Sequence, residues 1–346
     1  MAQIYSGREF SVIVGIADNN AGSSAGAIGA VTQDANAVSG SKVLMRVDSP
    51  VNMIDYSGAY QRSEVARAGL RTLRTEDVVQ HYGSGNWTWD FDWLVDNEKG
   101  IQNLLHLMHP LHGDTITTSI IYDETITPAN YAHADETDEN KCAFIIIQNP
   151  LTARDHYMHS AILQNLTLSM DAGTDAGRLR ASGQFMSGYR PIIENNSVSA
   201  ETSASDYAKG LFDCTTSTFG GDEAVVRSFS LTISNPATRV GYRGSDGETD
   251  GYSRQGAFSI TGSITMKADS LQQINDDTFW KGHSGATAAE AAIALGNGST
   301  IDFSIPTAIV SNVSYDMAEE GVFQTVDFTA TSSEDGGGHL AVIKAT

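Results

Sequence analysis

Trp87-Thr88-Trp89-Asp90-Phe91-Asp92-Trp93 decides the fold. Aromatic side chains occupy every second position, and threonine or aspartate fills each place between. Period two belongs to a strand with one packed face and one wet face. A helix of period 3.6 would scatter those rings around its whole circumference. Directly afterwards Ile101, Leu104, Leu105 and Leu107-Met108 fall on one helical face, and Pro110 ends that run.

Working outward, Val43–Val47 reads as a strand upstream, and Thr115–Tyr122, Cys142–Gln148, Ala161–Met170 and Leu179–Met186 as strands downstream. Residues 18 to 41 are a Gly/Ser/Ala-rich stretch that cannot bury a face, so residues 1–41 form an arm with one short strand, Phe10–Ile16. Residues 188–224 are polar and read as a linker with some local structure. The plan then returns. Phe229–Ile233 is a strand, Phe258–Met266 alternates like the tryptophan strand, and Leu271–Trp280 is a short helix. Thr300–Ile305, Ala308–Asp316, Val322–Ala330 and Leu340–Lys344 complete the strands.

The two halves can be superposed as sequence. Trp87, Trp89 and Trp93 align with Phe258, Ile260 and Ile264 at one offset. Ala161-Ile162-Leu163-Gln164-Asn165-Leu166-Thr167 aligns with Ala308-Ile309-Val310-Ser311-Asn312-Val313-Ser314, and each copy leads to a glycine-bearing turn and a return strand. Extra residues in the first copy, mainly Asp123–Lys141, account for the change of offset. The expected fold is mainly β: two tandem sandwich or barrel-like domains over 42–187 and 225–346, each with one packed helix.

Composition agrees. Only 18% of residues are charged and 33 are glycine, a mixture suited to strands and turns. The net charge of −21, from 42 acidic and 21 basic residues, argues against a surface that grips nucleic acid or anionic lipid. It permits a surface that DNA passes without sticking. Cys142 and Cys214 make no disulfide framework. No run of 18 apolar residues and no signal peptide is present, so no membrane role is expected.

The chemical motifs are weak. His106, His109 and His112 offer three nitrogens, but Pro110 breaks the helix between them and no fourth ligand is near. Gly22-Ser23-Ser24-Ala25-Gly26 lacks the strand and helix that a nucleophile elbow needs. Asp246-Gly247-Glu248-Thr249-Asp250-Gly251 begins like a calcium loop, but Ala257 stands where its closing glutamate belongs. No convergent acid, base or nucleophile set emerges, so neither an enzyme nor a cofactor is expected.

Three stretches carry a resemblance: Trp87 to Met108, Asn165–Met170, and Ser228-Phe229-Ser230-Leu231-Thr232-Ile233-Ser234-Asn235 leading to Gly256–Ser263 and Ile305-Pro306-Thr307-Ala308. Together they resemble the tail tube proteins of long-tailed, siphovirus-like bacteriophages, from about Ser41 to the C-terminus and best in the second half. The resemblance implies domains of which six form a ring, with strands of neighbours joined in an inner barrel and rings stacked into a hollow tube. With two domains per chain, three chains make a pseudo-hexameric ring. It also implies a virion tail protein assembled in the host cytoplasm, meeting the tape measure, tail terminator and distal tail proteins, with DNA passing through the lumen unbound. The competing class is another virion β-sandwich, such as a capsid or carbohydrate-binding adhesion module.

Two long polar loops, Tyr56–Gly85 and Pro236–Gln255, exceed what a hairpin needs. The first carries Arg62, Arg67, Arg71 and Arg74, the last three at helical spacing; the second carries Arg239, Arg243, Asp246, Glu248 and Asp250. Arginine–carboxylate pairing between these loops is the expected ring-to-ring contact.

Overall fold

The computed structural model describes residues 9–17, 40–48, 50–56, 60–64, 78–82, 87–108, 120–123, 142–149, 154–194, 198, 207–239, 249, 252–254, 258–268, 290–318, 321–331 and 339–345. The first half contains β1 (Ser11–Ala17), β2 (Gly40–Met45), β3 (Tyr60–Glu64), β4 (Val78–Tyr82), β5 (Trp87–Leu94), helix α1 (Glu98–Leu107), β6 (Ile120–Asp123), β7 (Cys142–Gln148), β8 (Asp155–Asp171), β9 (Arg180–Ser187) and β10 (Ile192–Glu194). The second contains β11 (Thr216–Phe219), β12 (Asp222–Glu223), β13 (Val226–Ser234), β14 (Ala237–Arg239), β15 (Tyr252–Arg254), β16 (Ser259–Lys267), β17 (Glu290–Gly296), β18 (Ile301–Ala318), β19 (Gly321–Ala330) and β20 (His339–Ala345). The fold is mainly β, and all pairing among the described residues is antiparallel.

Two long strands organise the molecule. The first part of β8 pairs with β7 and β10; its second part lies between β9 and β13. The first part of β18 pairs with β17 and β20; its second part pairs with β19. Each therefore leaves one layer and enters another, as corner strands of a sandwich do. The shared central layer runs β5-β9-β8-β13-β16-β19-β18. Outer layers are β2-β1-β7-β8-β10 in the first half and β12-β11-β17-β18-β20-β6 in the second.

One apolar core lies between the layers. It joins Trp87, Trp89, Phe91 and Trp93 of β5 to Val12, Val14, Ile145 and Ile147 of one outer layer, and Phe229, Ile264 and Phe328 to Phe303, Ile293 and Leu295 of the other. The alternation read in β5 holds: its four rings are buried, while Asp90 and Asp92 are exposed. Burying such rings contributes roughly 2–3 kcal/mol each. Trp89 and Trp93 keep their indole N–H groups satisfied, donating to the Asn52 carbonyl at 2.9 Å and to Asp96 at 3.0 Å. Helix α1 turns Ile101, Leu104 and Leu105 into the same core, and Met108 directly after it joins them. Asn97 caps it by accepting the Gly100 N–H at 3.1 Å, and Trp93 lies so close to Gly100 that a Cβ there would meet its ring at 2.7 Å.

Pairing recurs between the halves down to its irregularities. Register slips between Ala143 and Ile145 where β7 meets β8, and between Ala291 and Ile293 where β17 meets β18. It slips again between Leu163 and Asn165 on β8, and between Val310 and Asn312 on β18. Hairpin β3–β4 precedes β5, and hairpin β14–β15 precedes β16. Beside β5, where the second half has the regular β13, runs an irregular segment, residues 47–48 and 50–56. It is tied to β5 by Asp48 N–H to Asp92 C=O and Asp55 N–H to Thr88 C=O, both 2.8 Å. In the pairing, Asp90 lies opposite Gln184, and Ser263 opposite Asp327. Trp87 thus corresponds to Ile260, and the alignment with Phe258 is two residues out of step.

Residues 188–224 are more than a linker. They supply β10, β11 and β12, the last two closing the edge of the second outer layer. The arm's strand is present as β1, and it lies well inside its layer, between β2 and β7. The expected helix Leu271–Trp280 and most of the expected insertion, residues 124–141, lie outside the described residues.

Candidate functional surface

Side chains of a sheet alternate between its faces, so the apolar face of the central layer dictates an opposite face built from the residues in between. That face consists of rows crossing strands of both halves. One row is Asp92, Ser182, Thr167, Thr232, Thr261 and Thr329; the next is Arg180, Ser169, Ser230, Ser263, Asp327 and Asn312. A third joins Asp171, Ser228, Thr265, Thr325 and Ser314. Hydroxyls bond across strands, Thr167 to Thr232 and Thr265 to Thr325, each at 2.9 Å. Gln184 donates to Asp90 at 2.8 Å and Asn312 to Asp327 at 3.0 Å.

Two arginines on this face are held down, while Lys267, next along β16 after Thr265, is exposed. Arg180 meets Asp92 at 2.8 Å and Asp175 at 2.5 Å, and also Asp48. Burial opposes its charge, yet these hydrogen bonds hold its pKa above the ordinary arginine value. The Arg227 guanidinium stacks 4.8 Å from the Phe323 ring centroid. Arg180 is thereby neutralised in place, and the face offers hydroxyls, amides and surplus carboxylate rather than phosphate-binding charge.

The loop residues expected to carry ring contacts are placed only in part. Arg62 lies on β3 and Arg239 on β14; Arg67, Arg71, Arg74, Arg243, Asp246, Glu248 and Asp250 lie outside the described residues. The base of the second loop is anchored. Gln164 clamps Ala237 through both backbone groups, at 2.9 and 3.1 Å. Tyr252 donates to the Ser160 carbonyl and accepts the Gly188 N–H, both at 2.7 Å. Hairpin β14–β15 thus packs on the first half, against Ile13, Phe144 and Tyr157. This anchoring could not be read from the sequence, because a hairpin's docking partner leaves no local trace.

His106 lies on α1, whereas His109, His112 and residues 22–26 lie outside the described residues. Among the described residues no group of three or more His, Cys, Asp and Glu could hold a metal ion, and no helix is long and apolar enough to cross a membrane.

Comparison with known proteins places this architecture in one class. A family model described as phage tail tube protein matches residues 13–330. The chain belongs to that family, and it is a structural protein of the bacteriophage virion tail. No curated protein matches it.

Proposed function

We propose that three copies of the chain close into a pseudo-hexameric ring, that rings stack into the tail tube, and that the hydroxyl-lined face of the central sheet lines its lumen, the conduit for DNA ejection. In this reading each half is one tube unit, and the recurrent pairing of β7-β8-β9 and β17-β18-β19 supports it. The observation that carries the proposal is the polar face itself: one uninterrupted surface spanning strands of both halves, too polar to be a packing face. A wall of short hydroxyls, with its arginine neutralised, gives a phosphate backbone no lasting partner. Cyclic closure also removes sheet edges, a standing hazard for β proteins.

Stacking contacts fall to the two long loops, through Arg62, Arg67, Arg71, Arg74, Arg239, Arg243, Asp246, Glu248 and Asp250. At its ends the tube meets the tail terminator and distal tail proteins, and inside it the tape measure protein, all assembled in the host cytoplasm. Thr232→Cys tests the lumen assignment. In unassembled protein the thiol should react with both a small maleimide and a polymer-linked maleimide. In assembled tubes only the small reagent should reach it, and equal labelling by both would place this face outside.

A further inference from the structure

Hairpin β14–β15 closes on a buried corner of the first half. At that corner β8 bulges, at His159–Ser160, as it passes from one layer to the next. Ser160 has a left-handed backbone there, φ 50°, and both carbonyls of the bulge accept hydroxyls. Ser187 donates to the His159 carbonyl at 2.8 Å, and Tyr252 of β15 donates to the Ser160 carbonyl at 2.7 Å. Thr249 donates its N–H to the Gly188 carbonyl at 3.1 Å, so close that a Cβ on Gly188 would meet its methyl at 2.7 Å. Strands of three residues each do not hold a hairpin on their own. Its position depends on these contacts and on the Gln164 clamp.

An imidazole stands at the centre of the corner. His159 lies between the Tyr157 and Tyr189 rings, with centroids at 5.6 and 5.5 Å, and Tyr189 meets Tyr252 edge-on at 6.3 Å. Among the described residues its Nε2 has no partner in hydrogen-bonding geometry. A charged imidazole carries two N–H donors, and each needs an acceptor when buried. Burial opposes the charge most; the Arg190 backbone favours it, and the Arg190 guanidinium opposes it again. The other titratable groups around this corner are Tyr157, Tyr189, Tyr252 and, beside Tyr252, Cys142 of β7. Phenols and thiols stay neutral in acid. On the same strand His156 bonds to the Tyr56 hydroxyl instead, and Asp155 accepts the Asn149 N–H.

We propose that hairpin β14–β15 is a latch released by acid: proton uptake by His159 holds the β8 bulge open and frees the hairpin, with the loop it closes, from the first half. The proton binds in the open state, because the closed corner keeps the imidazole neutral down to about pH 4. Each pH unit between 6.5 and that value multiplies the open population by about ten, roughly 300-fold in all.

Hydrogen exchange of the unassembled full-length chain tests the latch, read by mass spectrometry on peptides covering Gly188, Ala237 and Thr249. Peptides of β13 serve as the reference. Corrected for the intrinsic pH dependence of exchange, latch protection should fall about tenfold per pH unit from pH 6.5 to 4.5. β13 should stay at least about tenfold better protected throughout, since a local opening costs less than global unfolding. His159→Gln should make latch protection independent of pH in this range. Tyr252→Phe keeps the imidazole but removes the hold on Ser160, so it should lower protection at every pH and preserve the slope. Parental protection that does not change with pH overturns the proposal, and so does the same slope in His159→Gln. Equal protection of latch and β13 also overturns it, because His159 would then be reached only when the whole chain unfolds. Should His159→Gln not fold, Tyr252→Phe decides: protection as high as the parent's, or a lost slope, overturns the latch.

Discussion

At the scale of single residues, the core makes two sharp demands. Gly262 lies under the Phe328 ring, where an added Cβ would come within 2.4 Å of it and 2.7 Å of the Ser230 carbonyl. Gly183 is held in the same manner, by the Asn165 carbonyl and Phe91. We expect Gly262→Ala to destabilise the chain by about 1–3 kcal/mol, read as a shifted urea midpoint. The second demand is electrostatic. His159 is fully buried between the Tyr157 and Tyr189 rings, with Nδ1 3.1 Å from Ser160 Oγ. Burial lowers its pKa from 6.5 to about 4. Above pH 6.5 folded and unfolded chains are both neutral at this site. As pH falls through that value only the unfolded chain takes up the proton, so stability drops until the folded pKa is reached, by about 3 kcal/mol in all. His159→Gln should flatten this part of the pH profile in thermal melts between neutrality and pH 4.5. A profile identical to the parent's would show that other groups set the acid limit. Neither demand could be read from sequence: Gly262 and His159 gain their meaning from residues far along the chain.

At the scale of elements, local pattern carried far. The tryptophan strand and the helix after it follow from period and breakers alone, because each is set by neighbours in sequence. The long strands were legible in part: Ala161–Met170 is the second part of β8, and Thr300–Ile305 and Ala308–Asp316, read as two strands, run on as one, β18. The Asn165 and Asn312 segments, matched as sequence, align as the register slips do. The β5–β16 match was out of step by two because alternation repeats every two residues, so a slip of two leaves every face unchanged. β11 and β12 were hidden in a polar stretch, since β12 is an edge strand that needs little apolar character and β11 buries only Phe219. The long loops belong to this scale as well. Pro236–Gln255 is more than a tip to be trimmed, since Ala237, Thr249 and Tyr252 hold it to the first half. Charge is the better lever. Asp246→Asn/Glu248→Gln/Asp250→Asn should leave ring formation intact and reduce tube length in electron micrographs. Tubes of parental length from this chain would move the ring-to-ring contact to residues 1–41.

At the scale of the whole molecule, the polar face was present in the sequence as the serines and threonines between apolar positions, but only strand order gathers them into one surface. With net charge −21 and Arg180 locked among aspartates, assembled tubes should give no stable DNA complex in mobility-shift assays at low salt. Tight, salt-sensitive retention would reveal a basic lumen. Native mass measurement of one ring should return three chains, and six would dismiss the two-unit reading. The β8–β13 junction has a consequence for how growth begins. A sixfold circle made from separate units needs six bodies to meet, and each loses its freedom to tumble and diffuse. If, as proposed, each chain supplies two of the six units, every second seam is made inside one polypeptide and only three bodies must meet. The rate of starting a ring then scales with at most the cube of concentration instead of its sixth power. Rings can therefore begin at dilutions where six loose units would scarcely collide, and the onset of polymerisation becomes a gentle function of expression level rather than a cliff.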